Sequence, residues 1–261
     1  MEPAAPEASS QATQTANHAE YEKQARECAQ AGVDHTGYLL RLAELELIER
    51  ERRMVERRIR AAKFPAVKSL DSFEFTAIPS LNKMLVLELA RSEYVLRREN
   101  VIALGNSGVG KTHIALALGL AACQRGFSVT FTTAPALVNE LMEARDERRL
   151  LRLQKQLAAC KLLIVDELGY LPFEPHAAHL FFQLVSRRYE KGAMLLTSNR
   201  AVGEWGTVFG DAVVATAILD RLLHHSHVIT IRGDSYRLRE KRRSGLLPKT
   251  AQAAQPAPAS A

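Results

Sequence analysis

A chain of 261 residues with 47% hydrophobic and 25% charged side chains can bury one sizeable core and carry a small extra module. No stretch is apolar for long enough to span a bilayer, and the first residues lack the basic-then-apolar order of a secretory signal. Cys28, Cys123 and Cys160 lie far apart and form no C-x-x-C pair, so neither a disulfide framework nor a zinc site is suggested and a cytoplasmic location is expected. The net charge of +6 and pI of about 9.3 are too modest to identify a nucleic-acid partner by themselves.

Residues 1–18 are dominated by Ala, Pro, Ser, Gln and Thr and read as a disordered tail. Residues 19–66 read as a helical module. A turn at Gly32 to Gly37 precedes a long helix in which Arg41 to Arg60 holds seven Arg and five Glu. Leu40, Leu47, Met54 and Ala61 recur every seven residues there and give it an apolar face. Glu and Arg nearly balance, so i,i+4 pairing on a solvated face, with the stripe packed on its own domain, is the expected reading. Contact of the Arg face with DNA, or of the stripe with another subunit, is the functional one. Residues 67–243 read as a nucleotide domain and 244–261 as a second tail.

Lys63-Phe64-Pro65 ends the long helix, and residues 68–75 form a linker whose Phe73 or Phe75 either walls an adenine base or staples the linker to the core. One amphipathic helix is expected over 81–98. Strands are then expected at 101–104, 127–132, 161–167, 193–197 and 228–231, with helices over 113–123, 134–145 (continuing helical over 146–159), 175–190 and 215–224 between them. This alternation predicts an α/β fold with a mostly parallel sheet, whose ligands sit at the carboxyl ends of the strands.

Residues 105–112, Gly-Asn-Ser-Gly-Val-Gly-Lys-Thr, fit the phosphate-loop pattern G-x-x-x-x-G-K-[ST] at every fixed position. The glycines let backbone N–H groups close on an anion. Lys111 would meet the β- and γ-phosphates of ATP, and Thr112 would hold Mg²⁺. Gly105, Asn106, Ser107, Gly108, Val109, Gly110, Lys111, Thr112 and His113 are therefore the expected ATP-binding residues. The helix from His113 turns its positive end toward the phosphates.

The strand ending in Asp166-Glu167 adds two acids. Asp166 would join Thr112 at Mg²⁺, and Glu167 would orient and polarise a water for in-line attack on the γ-phosphate. That pair favours hydrolysis over transfer to an alcohol and so argues against a small-molecule kinase. Asn199, ahead of Ser198 and Thr197, is the expected sensor of the γ-phosphate, against an ordinary cap. Arg221 either pairs with a nearby acid or reaches a neighbouring subunit as an arginine finger. In His224-His225-Ser226-His227, no carboxylate or cysteine stands at ligand spacing and successive side chains point to different faces, so no metal is assigned. Arg232 to Lys249 carries seven basic residues against Asp234 and Glu240, a footprint suited to DNA backbone or simply a solvated tail.

Together GNSGVGKTHIALALG, KLLIVDELGYLP, LLTSNR, GEWGTVFGD, ILDRLLHHSHVI and GDSYRLRE resemble the IstB-like ATPases, helpers of insertion-sequence transposition related to DnaC-type helicase loaders of the AAA+ superfamily. The likeness covers roughly residues 36–243. It implies a P-loop AAA+ fold with a parallel sheet. In this chain Gly105 to Thr112 would be the Walker A loop, Asp166 and Glu167 the Walker B acids, Asn199 the first sensor and Arg221 a finger acting in trans. It implies an ATP-driven homo-oligomer that binds duplex DNA and stimulates a partner transposase; a replicative helicase loader is the alternative. The chain ends soon after residue 231 for a helical lid, which leaves Arg237 and Arg239 as weak second-sensor candidates. Asn106 stands where many relatives carry proline, with little effect expected.

Overall fold

Residues 21–233, with Ser235, Tyr236 and Leu238, are described in the computed structural model of the chain. The two tails, and every basic residue of the C-terminal run except Arg232, lie outside them, the sensor candidates Arg237 and Arg239 included. The chain divides between Arg57 and Arg58 into two compact units.

The first unit contains a helix over 21–30 (α1) and most of α2, His35–Ala61, joined through Gly32 in the left-handed region at φ 64°. Cys28 is buried and receives a hydrogen bond from Arg41. The expected pairing of charges along α2 is present: Arg52 bridges Glu49 and Glu56, and Arg53 meets Glu46 and Glu49. Solvent screens such exposed pairs, so they add little to stability. The apolar stripe differs from expectation, because Leu40, Leu47 and Ile48 are exposed and no residue of α2 is buried.

The second unit is built on five strands: β1 (Asn100–Gly105), β2 (Val129–Thr133), β3 (Leu162–Leu168), β4 (Ala193–Ser198) and β5 (Ser226–Ile231). Every pairing is parallel, in the order β2-β3-β4-β1-β5. The inner strands β3, β4 and β1 are buried on both faces, as parallel strands between helical layers are, whereas the edge strand β5 leaves Val228 and Thr230 exposed. Period-two alternation sorts their side chains. Ile102, Leu163, Val165, Met194 and Leu196 enter one core with α6 (Ala134–Asp146), α7 (Leu150–Ala159), α8 (Pro175–Arg188), α9 (Trp205–Phe209) and α10 (Ala212–Leu223). Val101, Ala103, Leu162, Ile164 and Leu195 enter the other, with α3 (Lys83–Leu89), α4 (Glu93–Arg97) and α5 (Lys111–Gln124).

Two expected helices are each broken in two. Over 81–98, Ser92 takes φ 59° and separates α3 from α4, so that Val86, Leu89, Tyr94 and Val95 can all reach the core. Over 134–159, Arg148 takes φ 57° and Arg149 donates back to the Ala144 carbonyl, so α6 and α7 bury Leu137 and Leu141, then Leu153 and Leu157, on separate axes. Other boundaries move by a few residues for local reasons. Asp211 caps α10 by accepting from Val213 and Val214, which starts that helix before the expected 215. Ser226 and His227 pair with Asn100 and Val101, which lengthens β5. Thr133 caps α6 as the sequence predicts.

Arg188, at the end of α8, is 1% exposed and has no carboxylate partner among the described residues. Its guanidinium donates to the carbonyls of Leu157, Cys160, Lys161 and Ala193, tying α7 and the starts of β3 and β4 together. Burial pulls its pKa below the usual arginine range. Arg188→Met removes the guanidinium from four buried carbonyls; those of Leu157 and Lys161 keep another donor, and each one left without costs about 1–3 kcal/mol. We expect a loss of roughly 3 kcal/mol in chemical denaturation, with Arg188→Lys recovering only part of it because one ammonium cannot span the same acceptors. An unchanged midpoint for both variants would refute this role.

Candidate nucleotide-binding site

The loop between β1 and α5 has the geometry of an anion cradle. Gly105 ends β1 so close to β5 that an added Cβ would lie 2.3 Å from the Ile231 carbonyl oxygen. Gly110, at φ 97°, occupies the N-cap of α5, where a Cβ would meet Phe73 at 2.9 Å. No side chain caps this fourteen-residue helix, so its first N–H groups and the positive end of its dipole are available to an anion. Lys111 is 6% exposed, and its amine donates to the Gly105 and Asn106 carbonyls at 2.8 and 2.7 Å.

Asp166 meets the next residue of the loop. The Thr112 hydroxyl shares its proton between the two Asp166 oxygens at 3.1 and 3.0 Å. Between β1 and β3 lies β4, and its Thr197 fills the gap. The Thr197 hydroxyl donates to Asp166 and accepts from the Glu167 N–H at 3.0 Å. The ladder between β3 and β4 is irregular between Val165 and Leu168, and Glu167 takes φ 64°. That kink leaves Asp166 buried while Glu167, its neighbour, is exposed.

A cavity of about 540 Å³ opens over these residues. Ser107 to His113 form its floor, Glu167 and Thr197 one wall, and Pro65, Phe73, Ala77 and Ile78 from the linker an apolar wall opposite. An apolar slot beside a polar cradle suits a flat base joined to phosphates. Of the two functions open to Phe73 in the sequence, the structure shows the staple. It lines the cavity, and it is stapled edge-on to Phe75 at 4.9 Å and His113 at 5.1 Å. Phe75 is not part of the lining. His113 Nε2 donates to the Ser69 carbonyl at 3.0 Å and lies 3.3 Å from the Ser72 hydroxyl, which holds the linker against the loop.

The structure thus brings Gly105 to Thr112, His113, Asp166 and Glu167 together. Asn199 is half-buried outside the lining, and its Oδ1 makes no hydrogen bond. The polar group touching both acids is Thr197, which sequence reasoning places behind Asn199. Arg221 also lies away from the cavity, stacked 4.9 Å over Phe182 and bonded to the Ala217 carbonyl of its own helix. Sequence reasoning misses three further links. Tyr170 bonds Ser107 at 2.9 Å, the Tyr236 N–H donates to the Gly108 carbonyl at 3.0 Å, and Ser80 bridges to the Arg232 backbone. No sequence spacing signals them, since they join segments far apart in the chain. Near the histidine run the fold brings up a carboxylate that local sequence lacks, with ligand atoms of Glu190, His224 and His225 all within 4.8 Å of one another.

Comparisons agree with this geometry. A sequence model described as IstB-like ATP binding protein matches residues 12–244. The chain is 47% identical over 85% of its length to a protein from Pseudomonas aeruginosa named for ATP binding in insertion sequence IS21, covering 84% of that protein. It is 44% identical to the corresponding protein of insertion sequence IS5376 from Geobacillus stearothermophilus, over 80% of this chain and 84% of that one. Among solved structures, the replication initiator DnaA bound to AMPPCP and single-stranded DNA superposes with a TM-score of 0.53 at 21% identity, over 71% of this chain and 57% of that one. DnaI superposes with a TM-score of 0.53 at 19% identity, over 64% and 89%. These likenesses establish the P-loop AAA+ fold.

Lys111→Ala removes a cation buried in the cradle. Charge-assisted bonds of this kind are worth about 2–3 kcal/mol, so affinity for a fluorescent ATP analogue is expected to fall roughly 100-fold. Undiminished affinity would show that the cradle is not the nucleotide site.

Proposed function

The chain belongs to the IstB-like ATP binding protein family, and from that premise we propose that it is a DNA-binding ATPase that assists the transposase of an insertion sequence. The observation that carries the ATPase reading is the Thr112–Asp166 contact, with Glu167 lining the same cavity. A hydroxyl on a two-oxygen carboxylate at the mouth of a phosphate cradle is a donor set suited to Mg²⁺. The ion, when bound, would neutralise charge on the β- and γ-phosphates. Lys111 would leave its loop carbonyls for the phosphates. Glu167, turned outward by its kinked backbone, would hold and polarise the attacking water. Asn199 would sense the γ-phosphate from the end of β4, with Thr197 keeping both acids in register.

Arg221 is remote from the cavity of its own chain, which supports a role at a neighbour's site and therefore a homo-oligomer. DNA binding is supported by exposed cations where α6 and α7 meet. Arg145 and Arg149 pair with Asp146 and Glu147, whereas Arg148, Arg152 and Lys155 make no ion pair among the described residues. The basic run from Arg232 onward adds to this in sequence. Partnership with a transposase rests on the relatives, whose names tie them to insertion sequences.

Two measurements test these readings. Glu167→Gln is expected to keep ATP affinity while phosphate release falls by about 100-fold or more; normal turnover would remove its role. In the same assay Arg221→Ala is expected to be slow alone and partly rescued by mixing with Lys111→Ala subunits, and a rate that mixing leaves unchanged would exclude action in trans. For DNA, the slope of log affinity against log salt is expected to shrink by about 0.9 for each phosphate that Arg148→Glu or Arg152→Glu ceases to neutralise. An unaltered slope would exclude the α6–α7 surface.

A further inference from the structure

At the opposite end of the sheet from the nucleotide cavity, Glu190 leads into β4, and His224 and His225 lead into β5. A six-residue strand separates the two ends by about 20 Å. We propose that Glu190, His224 and His225 form a surface site for a first-row divalent cation of the zinc class, distinct from the Mg²⁺ expected at Thr112 and Asp166. Each of the three offers one ligand atom, and these atoms all lie within 4.8 Å of one another. The side chains are exposed, so rotations on the nanosecond scale can close them to bonding distance.

Three features favour an ion over an incidental cluster. First, the Tyr189 hydroxyl is 2.8 Å from His224 Nδ1. A bond to one ring nitrogen fixes the imidazole and leaves the other for a metal, the usual arrangement around ligating histidines. Second, the cluster lies where two helices end. Glu190 follows α8 by two residues and His224 follows α10 directly, so both negative helix ends favour a cation there. Third, Glu190 is held in the left-handed region at φ 56°, and its carbonyl accepts from Arg98 at 2.9 Å. The carboxylate is thus carried on a fixed turn rather than a loose loop. Two imidazoles with one carboxylate suit zinc-class ions better than Mg²⁺, which prefers an all-oxygen shell. Three protein ligands leave one tetrahedral position for water. A bound ion would tie the end of α8 to the end of α10, the helix that carries Arg221.

The test uses the full chain, stripped with a chelator and titrated with Zn²⁺ by calorimetry in the presence of Mg²⁺. One strong equivalent is expected, weakened by at least about tenfold in His224→Ala and in Glu190→Gln. It should persist in His176→Ala, which removes an exposed histidine of α8 outside the cluster. Co²⁺ should give the visible bands of a tetrahedral complex in the parent chain and not in His224→Ala. Binding of labelled ATP should be the same in all of these proteins, so failure here is separable from failure of the nucleotide site. Absence of a strong equivalent in the parent chain, or equal uptake by the parent and the doubly substituted His224→Ala, Glu190→Gln chain, would overturn the proposal.

Discussion

The contact between the Thr112 hydroxyl and the Asp166 carboxylate joins two parts of the chain separated by 54 residues, and the nucleotide site depends on it. It exists because β1 and β3 run parallel with β4 between them, so their carboxyl ends finish at the same edge. Any antiparallel strand among the three would have sent one partner to the far side. Thr197 completes the row from the middle strand, giving Asp166 two hydroxyl donors in a setting where an unsatisfied carboxylate would be costly. The fold thus fixes the acid before any ligand arrives, which is what preorganised electrostatic stabilisation requires.

Around that row, chain segments remote in sequence enclose the loop. The linker before α3 covers it through Phe73 and His113, and the end of β5 with the segment after it covers it through Ile231 and Tyr236. Ser80 joins these two coverings by bonding both backbone polar groups of Arg232. The phosphate loop is therefore in direct mechanical contact with the start of the basic C-terminal run. Tyr170 extends the same idea on the other side, linking the loop through Ser107 to the turn that follows the acids.

The far end of the sheet obeys different physics. There Arg188 is buried among carbonyls, held by hydrogen bonds from its two terminal nitrogens rather than by charge neutralisation. Two residues further on, Glu190 emerges at the surface beside His224 and His225. A short stretch thus passes from a structural cation to a candidate cation site, because α8 and α10 both terminate there and their carbonyl ends seek positive partners.

The phosphate loop and the acid pair were legible in sequence because their chemistry demands fixed residue types at short spacing. Glycine allows the turn at Gly110, and lysine and threonine follow it without a gap. The strands were legible because burial on both faces leaves continuous apolar runs such as Leu162 to Val165. The breaks at Ser92 and Arg148 were not, since a non-glycine residue enters the left-handed region only when packing on both sides outweighs its local cost. Nor were Thr197 at the acids or Glu190 at the histidines. Strand register and helix termination set those meetings, and both are decided by the whole sheet closing on its two cores rather than by any local pattern.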